Sequence, residues 1–181
     1  MSKTDHGIEI QLERMDHKKH KLMKLIRSLP DLSYDRQPDE TTWSIGKVAN
    51  HLYLSERLSL AYLKKKLSYP DTIPVFNAKS HGSLFLVKLT LWLPIRVKAP
   101  VKINMWDGQD ILPPDQLELQ WNEVREELAS VITENQSRFS RHLVYNHPYA
   151  GRMTMKQMLI FMNHHLAHHL RQARRIIKKI T

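Results

Sequence analysis

Three histidines on two predicted helices are the residues of this chain best suited to chemistry. His51 lies in VANHLYLSE, and His165 and His169 lie in MNHHLAHHLRQ. The i, i+4 spacing of the second pair places two imidazoles on one helix face, about 40° apart. Such a pair can hold one metal ion, and His51 can supply a third ligand from a facing helix. Three protein ligands with an open fourth position are typical of catalytic metal sites, whereas structural zinc sites usually have four.

Four histidines near the C-terminus offer two i, i+4 pairs, and helical geometry separates them. His165 and His169 lie towards the apolar stripe of the last predicted helix, whereas His164 and His168 lie towards solvent. Two imidazoles in an apolar interior are unfavourable unless their nitrogens find partners, and a shared metal satisfies both. The pattern therefore favours His165 and His169 as ligands. The alternative for each inward ring is an ordinary hydrogen-bonded core histidine.

Two polar residues follow the candidate ligands at short spacing. Gln172 comes three residues after His169 on the same side of the helix, so its amide can orient a ligand or a bound water. The alternative is an ordinary glutamine at the solvent edge. Glu56 comes five residues after His51. It can orient a ligand, act as a base, or pair with a nearby lysine.

Four segments with helical periodicity must position these residues. Ser44 and Thr154 are plausible N-caps of the second and fourth segments, and Pro30 ends the first. The four predicted helices cover residues 8–29, 44–67, 114–138 and 154–179.

A long connection, residues 68–113, separates the second and third predicted helices. It contains an apolar run that predicts a short extra helix over about residues 83–93. With a crossover of this length, the second and third helices need not be antiparallel neighbours. The predicted fold is all-α: a four-helix bundle with a long crossover, forming a single domain over residues 1–181.

The amino-acid composition of the chain limits the classes of function that it can have. Cysteine is absent, so no thiol of the protein can act as a nucleophile or ligand, and a cytoplasmic location is compatible with this. The apolar run at residues 84–95 is too short to span a bilayer, and no membrane span is expected. The net charge is +10, and several of the cations cluster on the solvent side of the last helix. A solvated face is the simplest interpretation of that cluster.

The stretch TTWSIGKVANHLYLSE, residues 41–56, resembles a motif of the DinB/YfiT-like superfamily. Members commonly carry a Trp-Ser pair followed by a helix with the first metal-binding histidine. In this chain the corresponding residues are Trp43, Ser44 and His51, which lies eight residues after the tryptophan.

A second stretch, HPYAGRMTMKQMLIFMNHHLAHHLRQ at residues 147–172, is similar to the closing segment of the same superfamily. That segment has a Gly-containing turn, a Thr that opens the last helix, and then H-x-x-x-H-x-x-Q. Aligning its glutamine on Gln172 selects His165 and His169, the pair that the helical geometry also favours.

The resemblance implies a four-helix bundle with three histidines that bind a divalent ion such as zinc, nickel, iron or manganese, and frequently a homodimer. Characterised relatives include S-transferases that use bacillithiol, mycothiol or related low-molecular-weight thiols, and a mycothiol-dependent maleylpyruvate isomerase. Others carry only the label of a metal-dependent hydrolase. The strong positive charge and the doubled His-His pairs of this chain depart from the usual pattern.

The leading hypothesis is a metal-dependent enzyme that acts on a small molecule. Its metal site would activate a thiol cofactor for S-transfer, or water for hydrolysis. The competing hypothesis is a non-enzymatic basic helical bundle that binds nucleic acid or an acidic partner, with a structural or sequestering metal site. Nucleic acid is not the expected partner, because neither a helix-turn-helix pattern nor aromatic residues interleaved with the basic run are evident.

Overall fold

Four long helices account for most of the chain that the structure describes. The computed structural model describes residues 5–30, 33–76, 110–147 and 151–180. The helices are α1 (His6–Arg27), α2 (Ile45–Leu67), α3 (Pro114–Phe139) and α4 (Met155–Ile180). A 3₁₀ turn at Pro70–Thr72 follows α2, and two short strands, β1 (Tyr145–His147) and β2 (Gly151–Met153), precede α4. The all-α helical bundle predicted from the sequence is confirmed, whereas the predicted extra helix over residues 83–93 lies outside the described residues.

Side-chain caps explain where three of the helices begin. The Ser44 hydroxyl accepts a hydrogen bond from the Lys47 N–H at 3.1 Å. At α4, the Thr154 hydroxyl accepts from the Gln157 N–H at 3.3 Å, while the Gln157 side chain accepts from the Thr154 N–H at 2.9 Å. This reciprocal pair is a capping box. Helix α1 begins two residues before the predicted start because Asp5 caps it.

Helices α2 and α3 are neighbours that run in the same direction. The Tyr53 hydroxyl donates to Gln120 Oε1 at 2.8 Å, and further along both helices Lys64 pairs with Glu127. Because residue numbers rise together in the two contacts, the helices are parallel. A parallel pair requires a connection that returns along the full length of α2, which is about 34 Å at 1.5 Å per residue. A short turn therefore cannot join the two helices.

Helices α1 and α4 form the second parallel pair. Lys156 lies 3.3 Å from the Asp5 carboxylate, and the Asn163 amide donates to the Gln11 carbonyl oxygen at 2.8 Å. Helix α1 also packs against α3, and α2 also packs against α4. The Asp5 N–H donates to Gln136 Oε1 at 2.8 Å, which joins the start of α1 to the end of α3. The order around the bundle is therefore α1, α4, α2, α3, and each parallel pair is antiparallel to the other.

The core lies between the four helices and is built from large apolar side chains. Burying one such side chain contributes about 1.5–3 kcal/mol. The largest fully buried side chains are Trp121, Met15, Leu22, Met23, Ile45, Leu52, Leu63, Leu117, Leu128, Ile132, Met153 and Met155. None of the helices in the described ranges is long and apolar enough to cross a bilayer.

Helical spacing over residues 114–138 predicts an inner stripe on α3, and the observed inner face differs from it. The members of the predicted stripe are Leu117, Trp121, Val124, Leu128, Val131 and Asn135. That stripe would place Val124, Val131 and Asn135 inside, but all three are half-buried. Arg125 and Gln136 are buried instead. Arg125 can occupy the interior because acidic side chains on α1 and α2 pair with it.

A short hairpin links α3 to α4. Tyr145 pairs with Met153 and His147 with Gly151 in an antiparallel register. Gly151 has a φ of 70°, a conformation that residues with a Cβ rarely adopt. Within β1, Tyr145 and His147 are half-buried while Asn146 between them is exposed, so the strand presents one face to the helices.

Candidate metal centre

The Nε2 atoms of three histidines converge between α2 and α4. His51 Nε2 lies 3.2 Å from His165 Nε2, which lies 3.0 Å from His169 Nε2. Among the described residues, these three form a group whose ligand atoms all lie within 4.8 Å of one another. The antiparallel packing of α2 on α4 brings His51 opposite the middle of α4, where His165 and His169 occupy successive turns.

The three rings meet edge to face rather than stacked. The ring centroid of His51 lies 5.1 Å from that of His165 and 4.8 Å from that of His169. The corresponding interplanar angles are 78° and 63°. The His165 and His169 rings are 4.6 Å apart at 84°. Rings crossed at such angles can bring their Nε2 atoms close together without stacking, in agreement with the short Nε2–Nε2 distances.

Gln172 fixes the protonation pattern of His169. Its Oε1 lies 2.7 Å from His169 Nδ1. An amide oxygen only accepts, so Nδ1 carries the hydrogen and Nε2 keeps its lone pair facing the other two histidines. The structure therefore places Gln172 against a candidate ligand, where a residue that orients the ring should lie.

Burial keeps the three imidazoles neutral. It lowers the pKa of His51 to about 4, with a smaller contribution from His168. Burial also lowers the pKa of His165 well below its usual value, and the neighbouring His169 and His51 lower it further. The pKa of His169 falls in the same direction, through burial and then His51. Neutral imidazole is the form that binds metal.

The donor set fits a divalent ion. Metal–nitrogen distances of about 2.0–2.1 Å in a tetrahedral site correspond to nitrogen–nitrogen separations of about 3.3 Å. The two pairs that share His165 are close to this value, at 3.0 and 3.2 Å, and the His51 and His169 ligand atoms lie within 4.8 Å of each other. Three Nε2 atoms so close together cannot all be satisfied by hydrogen bonds to one another, because each N–H···N bond needs one donor and one acceptor. A cation shared by the three lone pairs satisfies them together.

Other residues surround the three rings. The Trp43 ring contacts His51 edge-on at 5.3 Å, and Phe161 stacks on His165 at 6.0 Å. The β1 residue His147 lies 4.4 Å from Phe161, and burial lowers its pKa. Sequence reasoning missed the positions of His147 and Phe161. The i, i+4 spacing of Phe161 and His165 indicates a shared helix face, but no local pattern shows where the hairpin will lie.

The histidines adjacent to the candidate ligands point elsewhere. His164 is exposed, as predicted. His168 is half-buried rather than fully turned to solvent, and its ring lies 5.0 Å from that of His169. Neither belongs to the group of converging ligand atoms within the described ranges.

Asn50, the residue before His51, anchors α2 to the segment that leads into α3. Its Oδ1 accepts from the Leu112 N–H at 3.0 Å, and its Nδ2 donates to the Leu112 carbonyl oxygen at 3.3 Å. The same amide donates to the Tyr34 hydroxyl at 3.1 Å. Because Asn50 is buried, these bonds hold the turn of helix that carries His51.

Glu56 lies in a buried ionic cluster rather than beside the three rings. Its carboxylate accepts from Trp121 Nε1 at 2.8 Å and from Arg125 Nη2 at 2.9 Å, with a second contact from Arg125 Nε. Arg125 also donates to Asp16 at 2.8 Å. Glu56 thus pairs with an arginine of α3, and both of its oxygens are engaged.

Comparison with known proteins gives two findings. The sequence model of the DinB superfamily matches residues 14–173, a range that contains all three converging histidines and Gln172. The chain is also similar to the uncharacterized protein YuaE of Bacillus subtilis (strain 168). The two are 24% identical over 161 residues, which cover 86% of this chain and 90% of that protein.

Proposed function

We propose, on the premise that this chain belongs to the DinB superfamily, that it is a metal-dependent enzyme acting on a small molecule. His51, His165 and His169 would hold the divalent ion, which can be zinc, nickel, iron or manganese. The observation that carries the proposal is the convergence of three neutral Nε2 atoms from two helices. Three protein ligands leave room for a reactant.

A bound ion would lower the pKa of a thiol or a water molecule and so supply a nucleophile that this cysteine-free chain cannot provide. The residues of the chain have supporting roles. Gln172 holds the His169 ring through Nδ1, and the half-buried Trp43 and Phe161 rings shield the ligands from water. Activation of a low-molecular-weight thiol for S-transfer is the first version of the proposal, and activation of water for hydrolysis is the second.

Glu56 has an indirect role in this proposal. A carboxylate whose two oxygens already accept from Arg125 and Trp121 is poorly placed to take a proton from a substrate. Glu56 and Arg125 join α2 to α3 and so fix the position of the helix that carries His51. A homodimer, a cytoplasmic location and a single domain over residues 1–181 complete the proposal, supported by the superfamily resemblance and the absence of cysteine.

Metal analysis of the purified protein tests the site. The wild type, His165→Ala and His169→Ala are compared with His164→Ala, which removes the same side chain from an exposed position of the same helix. We expect one divalent ion per chain in the wild type and in His164→Ala, and loss of the ion in the other two. Full occupancy in both His165→Ala and His169→Ala would refute the ligand assignment.

Activity tests separate the two versions. A panel of low-molecular-weight thiols, each with a chromogenic aryl halide, measures S-transfer, and a chromogenic ester measures hydrolysis. We expect turnover that requires metal and survives His164→Ala but not His165→Ala. Turnover only with the ester would support hydrolysis. Metal binding without turnover in either assay would favour the sequestering alternative over an enzyme.

A further inference from the structure

Charge is distributed very unevenly among the helices. Helix α4 contains no acidic residue in 26 positions, although the chain has 18 acidic residues. Helix α3, diagonally opposite in the bundle, carries six acidic residues: Asp115, Glu118, Glu123, Glu126, Glu127 and Glu134. In α1, the last acidic residue is Asp16, and the rest of the helix is basic. Helix α4 therefore carries the highest net positive charge of the four helices, and the part of α1 after Asp16 adds five cations beside it.

The parallel packing of α1 and α4 merges their basic halves into one surface. Both helices become basic towards their C-termini, and these termini lie at the same end of the bundle. We call this surface the basic face. Its exposed cations are Lys21, Lys24, Arg171, Arg174, Arg175 and Lys178. Lys18, half-buried at the same seam, has its pKa lowered by burial and by the neighbouring positive charges of Arg14, Arg125 and Lys21.

Most cations of the basic face are not compensated by the protein. Lys21, Lys24, Arg174, Arg175 and Lys178 have no acidic partner among the described residues. Some exposed cations of the described chain do pair with acidic residues, as Arg27 does with Glu118 and Lys64 with Glu127. A face kept only for solubility usually intersperses the two signs, because clustered like charges repel one another.

We propose that the basic face binds the phosphate backbone of double-stranded nucleic acid without reading its sequence. Arg171 to Lys178 spans about 10 Å along α4 at 1.5 Å per residue. Double-stranded DNA carries one negative charge per about 1.7 Å of axis when both strands are counted, so a stretch of the same length carries about six charges on its two strands together. The basic face offers six exposed cations on two rigid helices. The basic face therefore complements a continuous row of backbone phosphates in charge.

The side chains of the basic face argue against an anionic membrane as the partner. Stable attachment of a helix to a membrane buries an apolar face in lipid, but the apolar face of α4 is in the core. The exposed large apolar residues of the described chain are Leu58, Tyr62, Tyr69, Val75 and Leu119, and none of them lies on α1 or α4. The same lack of aromatic side chains disfavours stacking on single-stranded bases. Ionic contacts between the exposed cations and backbone phosphates are therefore the interaction that the basic face can make with such a partner.

This inference is independent of the proposed enzymatic function. The exposed cations of α4 lie on the solvent side of the helix, whereas His165 and His169 face α2. Loss of metal should therefore leave nucleic-acid binding intact. The sequence alone raises nucleic acid only as a competing partner and does not predict this surface, because only the packing of α1 on α4 shows that two separate basic segments lie together.

Fluorescence anisotropy with a labelled 20-base-pair DNA duplex of mixed sequence tests the proposal. Association constants are measured for the full-length protein between about 50 and 200 mM salt. We expect a plot of log K against log salt with a slope of about −5, from about 0.9 per neutralised phosphate. The His165→Ala protein should give the same slope, which separates this outcome from failure of the metal site.

Matched variants locate the binding surface. Arg174→Gln with Lys178→Gln removes two cations from the basic face, and Arg57→Gln with Lys65→Gln removes two exposed cations from α2. The first pair should flatten the slope by about 2 and weaken binding about tenfold or more at 100 mM salt, while the second should change neither. All four positions are exposed, so thermal melts should match the wild type. Equal effects of the two pairs, no binding to DNA, or binding only to vesicles of anionic phospholipid would overturn the proposal.

Discussion

The metal-free protein should lose stability steeply between pH 7 and pH 5, and His51 should account for a defined part of the loss. The folded-state pKa of His51 is about 4, against 6.5 for the ordinary side chain. Between these values the unfolded chain binds a proton that the folded chain excludes, so the free energy of unfolding rises with pH. The contribution of His51 is fully present above pH 6.5 and is lost as the pH falls towards 4.

The size of the loss in unfolding free energy follows from the linkage between proton binding and folding. The full pKa difference corresponds to about 3 kcal/mol, and about 2 kcal/mol of it is lost between pH 7 and pH 5. The pKa values of His165 and His169 are lowered in the same direction, so the loss in the wild type should exceed that of His51 alone. For a domain of ordinary stability this is a large fraction of the total.

Urea unfolding in the presence of a chelator, at pH 7 and at pH 5, measures the effect. The wild type is compared with His51→Gln and with His20→Gln, which alters an exposed position of α1. The drop in unfolding free energy on acidification should be smaller by about 2 kcal/mol in His51→Gln than in the wild type. His20→Gln should behave as the wild type. An identical drop in all three proteins would refute the reasoning that His51 is buried and neutral.

Three further predictions concern positioning residues. Gln172→Ala should weaken metal binding about 10–100-fold without loss of fold, as followed by competition with a chromogenic chelator. Wild-type affinity would mean that the contact with His169 Nδ1 orients nothing. Glu56→Gln should destabilise the protein by about 3 kcal/mol in urea unfolding, because it removes the buried one of the two carboxylates that pair with Arg125 and leaves only the exposed Asp16. Metal stoichiometry at neutral pH should stay at the wild-type value, and its loss would show that the position of His51 depends on the pairing of Glu56 with Arg125. Ser44→Ala should cost about 1 kcal/mol through loss of the α2 cap, and an unchanged midpoint would show that Ser44 contributes nothing.

Local signals in the sequence predict the helices that carry the candidate site. Ser44 and Thr154 cap α2 and α4, as their sequence context indicates. The angular separation of side chains on α4 is sufficient to distinguish His165 and His169 from His164, since it depends only on helix geometry and the apolar stripe. The approach of His51 to these two histidines depends on the packing of α2 against α4, which is a feature of the tertiary structure. The spacing within α4 does not predict it, and the superfamily resemblance supplied it.

The parts that sequence reasoning missed depend on contacts between distant segments. By residue type alone, Arg125 is expected at the surface and its neighbour Val124 in the core. In the structure Arg125 is the more buried of the two, because Glu56 on another helix neutralises its charge inside the bundle. The hairpin was missed for a similar reason. Three-residue strands carry too few positions for an alternating pattern, and Gly151, with its positive φ, is a local signal only for the start of β2.

The shared direction of α2 and α3 limits how this protein can vary in length. An extended chain advances about 3.3 Å per residue, so about ten residues are the fewest that can return along α2 to the start of α3. Insertions and deletions above that length are permitted by the topology, whereas a tighter turn would force α3 to reverse. Reversal would move Arg125 away from Glu56 and leave two opposite charges in the interior without each other as partners. Homologues should therefore show wide variation in the length of this connection, bounded below by the span of one helix.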